Sequence, residues 1–153
     1  MNKILLVAAL SVAAYFALLP GANIPDKPGL PDSSGFSSAA GDHTNAALEN
    51  AISNHLGNQQ LAGQAVVVKI LPDDNNGSRH QRFIVKLNSG RTILVAHNID
   101  LAQRIDTLRT GDTIAFFGEY EWNQKGGVMH WTHHDPQGRH PNGWIKHNGQ
   151  TYQ

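Results

Sequence analysis

Nine histidines and no cysteine set the chemistry open to this chain of 153 residues. The lack of thiols excludes disulfides, thiolate zinc sites, iron–sulfur clusters and a cysteine nucleophile. Five of the histidines, His130, His133, His134, His140 and His147, fall between positions 130 and 147, beside Trp131 and Trp144. Neutral imidazole suits zinc, copper and nickel. These five are therefore candidate ligands for zinc or another divalent transition metal, in a metal-dependent hydrolase or nuclease centred on segment 130–147. Strand geometry constrains that reading. Residues two apart on a strand share a face about 6.6 Å apart, and no histidine pair in the segment has that spacing. His130 and His134 share a face but lie roughly 13 Å apart on a regular strand. A site needs the chain to turn at Asp135-Pro136 and return His140 or His147. The competing reading is structural: the imidazoles bond backbone and carboxylates and hold an irregular tail in place.

A second group could bind rather than react. Arg79, His80, Arg82, Lys86 and Arg91 lie in a stretch without an acidic residue, in a chain whose twelve basic residues balance twelve acidic ones. Such a strip attracts a polyanion, an oligonucleotide or oligosaccharide, with steep salt dependence. Trp131 offers a stacking surface. The ordinary alternative is a solvated face. Glu119 and Glu121 alternate on one side of a predicted strand, as an acid pair or as exposed strand carboxylates. His97 pairs with Asp100 as a base, or belongs with Asn98 to a cap on the next turn. No serine sits in a nucleophile elbow and no glycine loop cradles a phosphate. Binding is thus expected over turnover, with the enzyme question open.

The elements that must position these residues follow from periodicity. Ala47, Leu48, Ala51, Ile52 and Leu56 predict a short helix over 44–57, with Gly57 as its stop. Gly63–Leu71 reads as a strand closed by the turn cluster Pro72–Gly77. In His80–Leu87, Gln81, Phe83, Val85 and Leu87 alternate with His80, Arg82, Ile84 and Lys86. Asn88-Ser89-Gly90 turns into Arg91–His97, and Ile99, Leu101, Ala102 and Ile105 suggest helical turns. Thr113–Trp122 and Val128–His133 follow, separated by Gln124–Gly127. Three strands, a short helix and two strands is the order of the OB-fold. The expected fold is all-β, a five-stranded OB-like barrel with a helix between strands 3 and 4, an N-terminal helix and a His-rich tail, spanning 44–153.

Lys3 precedes Ile4–Leu19, an uncharged apolar run ending at Pro20. Spanning a bilayer takes roughly 17–25 residues, so residues 1–20 read as a signal peptide or a membrane anchor. Residues 21–43 hold Pro25, Pro28, Pro31 and a serine cluster, the composition of a flexible linker. The expected location is outside the cytoplasm, either periplasmic or anchored in the inner membrane and facing the periplasm.

His80-Gln81-Arg82-Phe83, Ala96-His97-Asn98-Ile99-Asp100-Leu101, Gly118-Glu119-Tyr120-Glu121-Trp122-Asn123 and Gly126 through Pro136 form one set of motifs, continuing in Gly138-Arg139-His140, Gly143-Trp144-Ile145 and His147-Asn148-Gly149 to Tyr152. Together they resemble a bacterial domain-of-unknown-function family of short exported proteins. The resemblance covers roughly 60–153 and implies export, without supplying catalytic residues. The order His133-His134-Asp135-Pro136, Asn142, His147 also resembles that of ββα-metal nucleases. Pro141, Gly143 and Gly149 nevertheless oppose the metal-bearing helix of that motif. The leader reading predicts that a reporter active only outside the cytoplasm works when fused after Gly41; activity of a cytoplasmic reporter at that junction contradicts it.

Overall fold

The structure is a computed structural model that describes residues 39–153, with side chains from Asn45 onward. Residues 1–20 and nearly all of the 21–43 segment lie outside the described residues. Among the described residues no helix is long and apolar enough to cross a membrane. Helix α1 (Ala39–Ser53) is followed by β1 (Gln59–Ile70), β2 (His80–Lys86), β3 (Thr92–Asn98), β4 (Thr113–Glu121), β5 (Val128–His130), β6 (Trp144–His147) and β7 (Gln150–Tyr152).

Strands β1 to β5 close a barrel of OB-like connectivity. Strand β1 is long enough to serve two partners. Its first part, Gln59–Val66, pairs antiparallel with β4, and Val66–Ile70 pairs with β2 across an irregularity between Val67 and Lys69. Such a bulge sharpens the local twist and lets one strand turn a barrel corner. Strand β2 pairs with β3, β3 runs parallel to β5, and β5 pairs with β4 to complete the circuit. The alternation read from β2 holds: Gln81, Phe83 and Val85 are buried, while His80, Arg82, Ile84 and Lys86 face outward. Phe83, Val85, Ile93, Phe116, Tyr120 and Met129 form the middle of the core. Hydrophobic burial is the main favourable term holding the barrel.

Helix α1 plugs one end with Leu48, Ala51 and Ile52. Gly63 makes room for it: a Cβ there would strike the Phe116 ring and touch Leu48. The helix starts at Ala39, earlier than the expected Thr44, and stops before Gly57. His55 adopts φ 56°, and Leu56 N–H reaches the Ala51 carbonyl at 2.9 Å. That is a Schellman termination with histidine where glycine is usual.

The expected helix between strands 3 and 4 is corrected to a series of turns. The Gln81 carboxamide explains it. Its Nε2 donates to the Ile105 carbonyl at 3.0 Å and its Oε1 accepts from the Ile105 N–H at 2.9 Å. Both backbone groups that a helix would use internally are taken. The connection still inserts Ala102, Ile105 and Leu108 into the barrel end. The tail also departs from expectation. The fifth strand ends at His130, and 144–152 folds into the β6–β7 hairpin, with β6 pairing to β4 at Ala115–Phe117. His147 closes this end, its Nε2 2.8 Å from Asp112 Oδ2.

His97, fully buried, ties the turns to the chain just after β5. Its Nε2 lies 3.2 Å from the Gln103 carbonyl and its Nδ1 2.8 Å from Thr132 Oγ1. Burial lowers its pKa from 6.5 to about 4, against the opposing pull of the Gln103 carbonyl. The unfolded chain therefore takes up a proton near 6.5 and the folded chain only near 4. Stability from this residue is complete above pH 6.5, falls as pH drops through that window, and levels off below it. The share at stake is roughly 3 kcal/mol. Urea unfolding at pH 7 and pH 4 should show a loss of that order, and His97→Gln, weaker at pH 7, should lose less over the same interval. Equal losses in the two proteins would remove His97 from the explanation.

Candidate metal centre

The site forms where β4 changes partner. Along one edge β4 pairs with β5 at Glu119–Glu121 and with β6 at Ala115–Phe117. The chain between β5 and β6 has to leave and return at that point, so residues 131–143 form a loop with a narrow neck. Gly143 N–H donates to the His133 carbonyl at 2.9 Å. A Cβ on Gly143 would collide with the Trp131 and Phe117 carbonyls, so the neck needs glycine. Asp135 organises the loop. Its carboxylate accepts from the backbone N–H groups of Gln137 at 2.9 Å, Arg139 at 2.6 Å and His140 at 2.8 Å. These bonds, that of Gln137 foremost, hold the Asp135 carboxyl below the usual range.

The loop delivers His140 to β4. Its Nε2 lies 2.7 Å from Glu119 Oε2 and its Nδ1 2.9 Å from the Pro141 carbonyl. A neutral imidazole has one N–H and cannot donate at both nitrogens, so this pair of contacts favours the imidazolium. Burial opposes the charge, but the Glu119 carboxylate and the Pro141 carbonyl outweigh it and raise the pKa. Trp131 holds φ 53°, a conformation costly for a bulky residue. In return its ring stacks on His140, with centroids 4.1 Å apart and planes at 10°.

Across the β4–β5 hairpin, Glu119 stands opposite His130. His130 Nε2 lies 3.4 Å from Glu119 Oε1, yet it makes no hydrogen bond and is sealed from solvent. One ligand atom each from Glu119, Glu121 and His130 lies within 4.8 Å of the others. Two ligands about 2.1 Å from one zinc ion at a tetrahedral angle stand roughly 3.4 Å apart. Burial lowers the His130 pKa against the pull of Glu119 and Glu121, which favours the neutral ring a metal requires. The Glu121 carboxylate lies so close to the chain after α1 that a Cβ on Gly57 would collide with it. The glycine expected to stop the helix serves this contact instead. The donor set of one imidazole and two carboxylates fits a divalent first-row ion.

The structure therefore gathers His130 and His140 on Glu119 and does not bring the other tail histidines with them. His133 is buried with Nδ1 2.7 Å from the His134 carbonyl, and His134 is exposed. His147 sits on Asp112, before the opposite end of β4. The basic strip is answered by carboxylates from remote segments. Arg79 pairs with Asp100 at 2.6 Å, Arg82 lies 3.8 Å from Asp74, and Arg91 lies 3.7 Å from Glu49. His80 Nδ1 lies 2.8 Å from the Ser78 carbonyl, and Lys86 is exposed. Asp100 is thus engaged by Arg79 rather than by His97, while Asn98 Oδ1 accepts the Asp100 N–H at 2.9 Å as a turn cap.

Removing the loop's anchor should expose it. Asp135→Ala leaves three backbone N–H groups without their acceptor, so trypsin should cut after Arg139 faster than in the parent protein while the barrel's melting temperature stays close to unchanged. Unaltered cleavage would contradict the anchoring role of Asp135.

Neither a curated protein nor a solved structure matches the chain. A family model described as "Protein of unknown function (DUF3465)" matches residues 33–153, and the chain belongs to that family.

Proposed function

We propose that this protein is an exported OB-like binding module that carries a divalent first-row transition ion, such as zinc, on the outer face of β4 through Glu119, Glu121 and His130. The observation behind this reading is the His130 Nε2 atom, sealed from solvent, without a hydrogen bond, and facing two carboxylates. A buried polar atom without a partner costs about 1–3 kcal/mol, and coordination would relieve that cost. His140 supplies the support that metal-binding carboxylates commonly have, by fixing the second oxygen of Glu119.

Three protein ligands leave coordination open, so the ion can anchor an anionic ligand. The polyanion expected at Arg79, His80, Arg82, Lys86 and Arg91 is better placed at the metal, because three of those cations already face carboxylates. The open coordination also favours a second reading, a metal-dependent hydrolase whose ion activates water. Cleavage of labelled DNA by the zinc-loaded protein, abolished by EDTA, would select the enzyme; binding without cleavage selects the module.

Zinc at a hundredfold excess over its Kd should stabilise the fold by about 2.7 kcal/mol and raise the melting temperature at pH 7 by several degrees. Glu119→Gln and His130→Ala should each abolish the rise. The double substitution Arg82→Glu, Lys86→Glu should leave it intact. No rise in the parent protein, or a full rise in His130→Ala, would overturn the assignment.

A further inference from the structure

Leu101, in the turns that follow β3, is a large apolar side chain left open to solvent, at 45% exposure. A single exposed leucine is ordinary, but this one is opposed across a cavity. With Trp131, Pro136, Gln137, Arg139 and His140 it lines a space of about 420 Å³. That volume falls within the roughly 300–1,000 Å³ of small-molecule sites. Two segments remote in sequence build it, the β3–β4 connection and the loop 131–143.

The charges around the cavity are answered, with one exception. Asp135 also lines it, but its carboxylate accepts from three backbone N–H groups. Asp100, next to Leu101 in the chain, is paired with Arg79. The His140 ring contacts Glu119. Arg139 is exposed, and among the described residues its guanidinium forms no ion pair and no hydrogen bond. Its charge reaches Asp135 only at a distance, as the smallest of the influences that keep that carboxyl low. A planar guanidinium matches a carboxylate, which it binds through two parallel N–H···O bonds. One unanswered cation calls for one negative charge.

The remaining walls are stiff and largely apolar. Pro136 is a ring, and Trp131 is stacked on His140 with both rings partly exposed. Trp131 holds φ 53°, and strained bulky residues cluster at ligand clamps. A rigid body against rigid walls loses little conformational freedom on binding. We propose that this cavity binds a small carboxylate carried on a ring, either an aromatic acid or a uronic acid unit. The carboxylate sits on Arg139 and the ring lies against Leu101, Trp131 and Pro136. The site does not use the ion proposed at Glu119, Glu121 and His130.

The test uses the full-length protein, stripped of metal on a chelating resin and titrated by calorimetry. The probes are benzoate and glucuronate, their uncharged counterparts benzyl alcohol and methyl glucoside, and thymidine monophosphate. One of the two acids should bind at least about tenfold more tightly than its uncharged counterpart. Tighter binding of benzoate assigns the aromatic acid, and tighter binding of glucuronate assigns the sugar acid. Arg139→Gln should lower the affinity for that acid about tenfold, and Leu101→Ser should lower it as well. Arg109→Gln, exposed on the same β3–β4 connection, is the control and should bind as the parent does. All three substitutions fall on exposed side chains, so unchanged melting temperatures separate lost contact from lost fold. The proposal is overturned if neither acid binds, if the uncharged counterparts bind equally well, if the nucleotide binds more tightly than both acids, or if Arg139→Gln binds like the parent. Binding that appears only after zinc is added places the acid on the ion and overturns it too.

Discussion

Strand β4 has to satisfy the backbone hydrogen bonds of two edges over its whole length, and the rest of the fold is arranged to let it. One edge is served by β1 alone, from Gln59–Tyr120 to Val66–Thr113. The other is shared, with β5 covering Glu119–Glu121 and β6 covering Ala115–Phe117. A buried strand cannot leave such groups unpaired. Barrel closure, the long bulged β1 and the return of the tail as β6 all answer that demand. The loop 131–143 exists because one edge is covered by two strands instead of one.

That loop also brings His140 to an ordinary strand face. Without it, Glu119 and Glu121 would be outward carboxylates on a sheet. With it, His140 takes one oxygen of Glu119, and Trp131 gives up an easy backbone conformation to stack on His140. Each buried residue of this kind costs desolvation, which is recovered only when its polar atoms find partners. His97 and His133 have found theirs in backbone and hydroxyl groups. His130 and Gln60 have not, and they stand on either side of the same carboxylate. The contrast separates His97 and His133, whose ring nitrogens have partners, from His130, whose Nε2 has no hydrogen bond.

Much of this was legible in the sequence, and the failures have local causes. The alternation of Gln81, Phe83 and Val85 gave the inward face of β2, and the strand order gave the barrel. The helical spacing of Ile99, Ala102 and Ile105 misled because Gln81, distant in sequence, takes the backbone of Ile105. Gly57 looked like a helix stop, yet His55 performs that role and Gly57 admits Glu121. The β6–β7 hairpin had an available signal in Asn148-Gly149, whose residues both adopt positive φ, as two-residue hairpin turns require. The metal ligands expected along the tail, at strand spacing, differ from the proposed set, whose members face one another across the hairpin. Counting outward from Gln124-Lys125 pairs Glu121 with Val128 and Glu119 with His130. The arrival of His140, and the carboxylates that answer Arg79, Arg82 and Arg91, depend on tertiary contacts that no local pattern encodes.

The most direct measurement of the central claim is X-ray absorption at the zinc edge of protein loaded with one equivalent of zinc. The proposed site predicts a first shell with a single imidazole nitrogen and otherwise oxygen donors, at about 2.0–2.2 Å. A shell with two or more imidazoles would place the metal elsewhere, in the histidine-rich tail, and would contradict a site built on Glu119, Glu121 and His130.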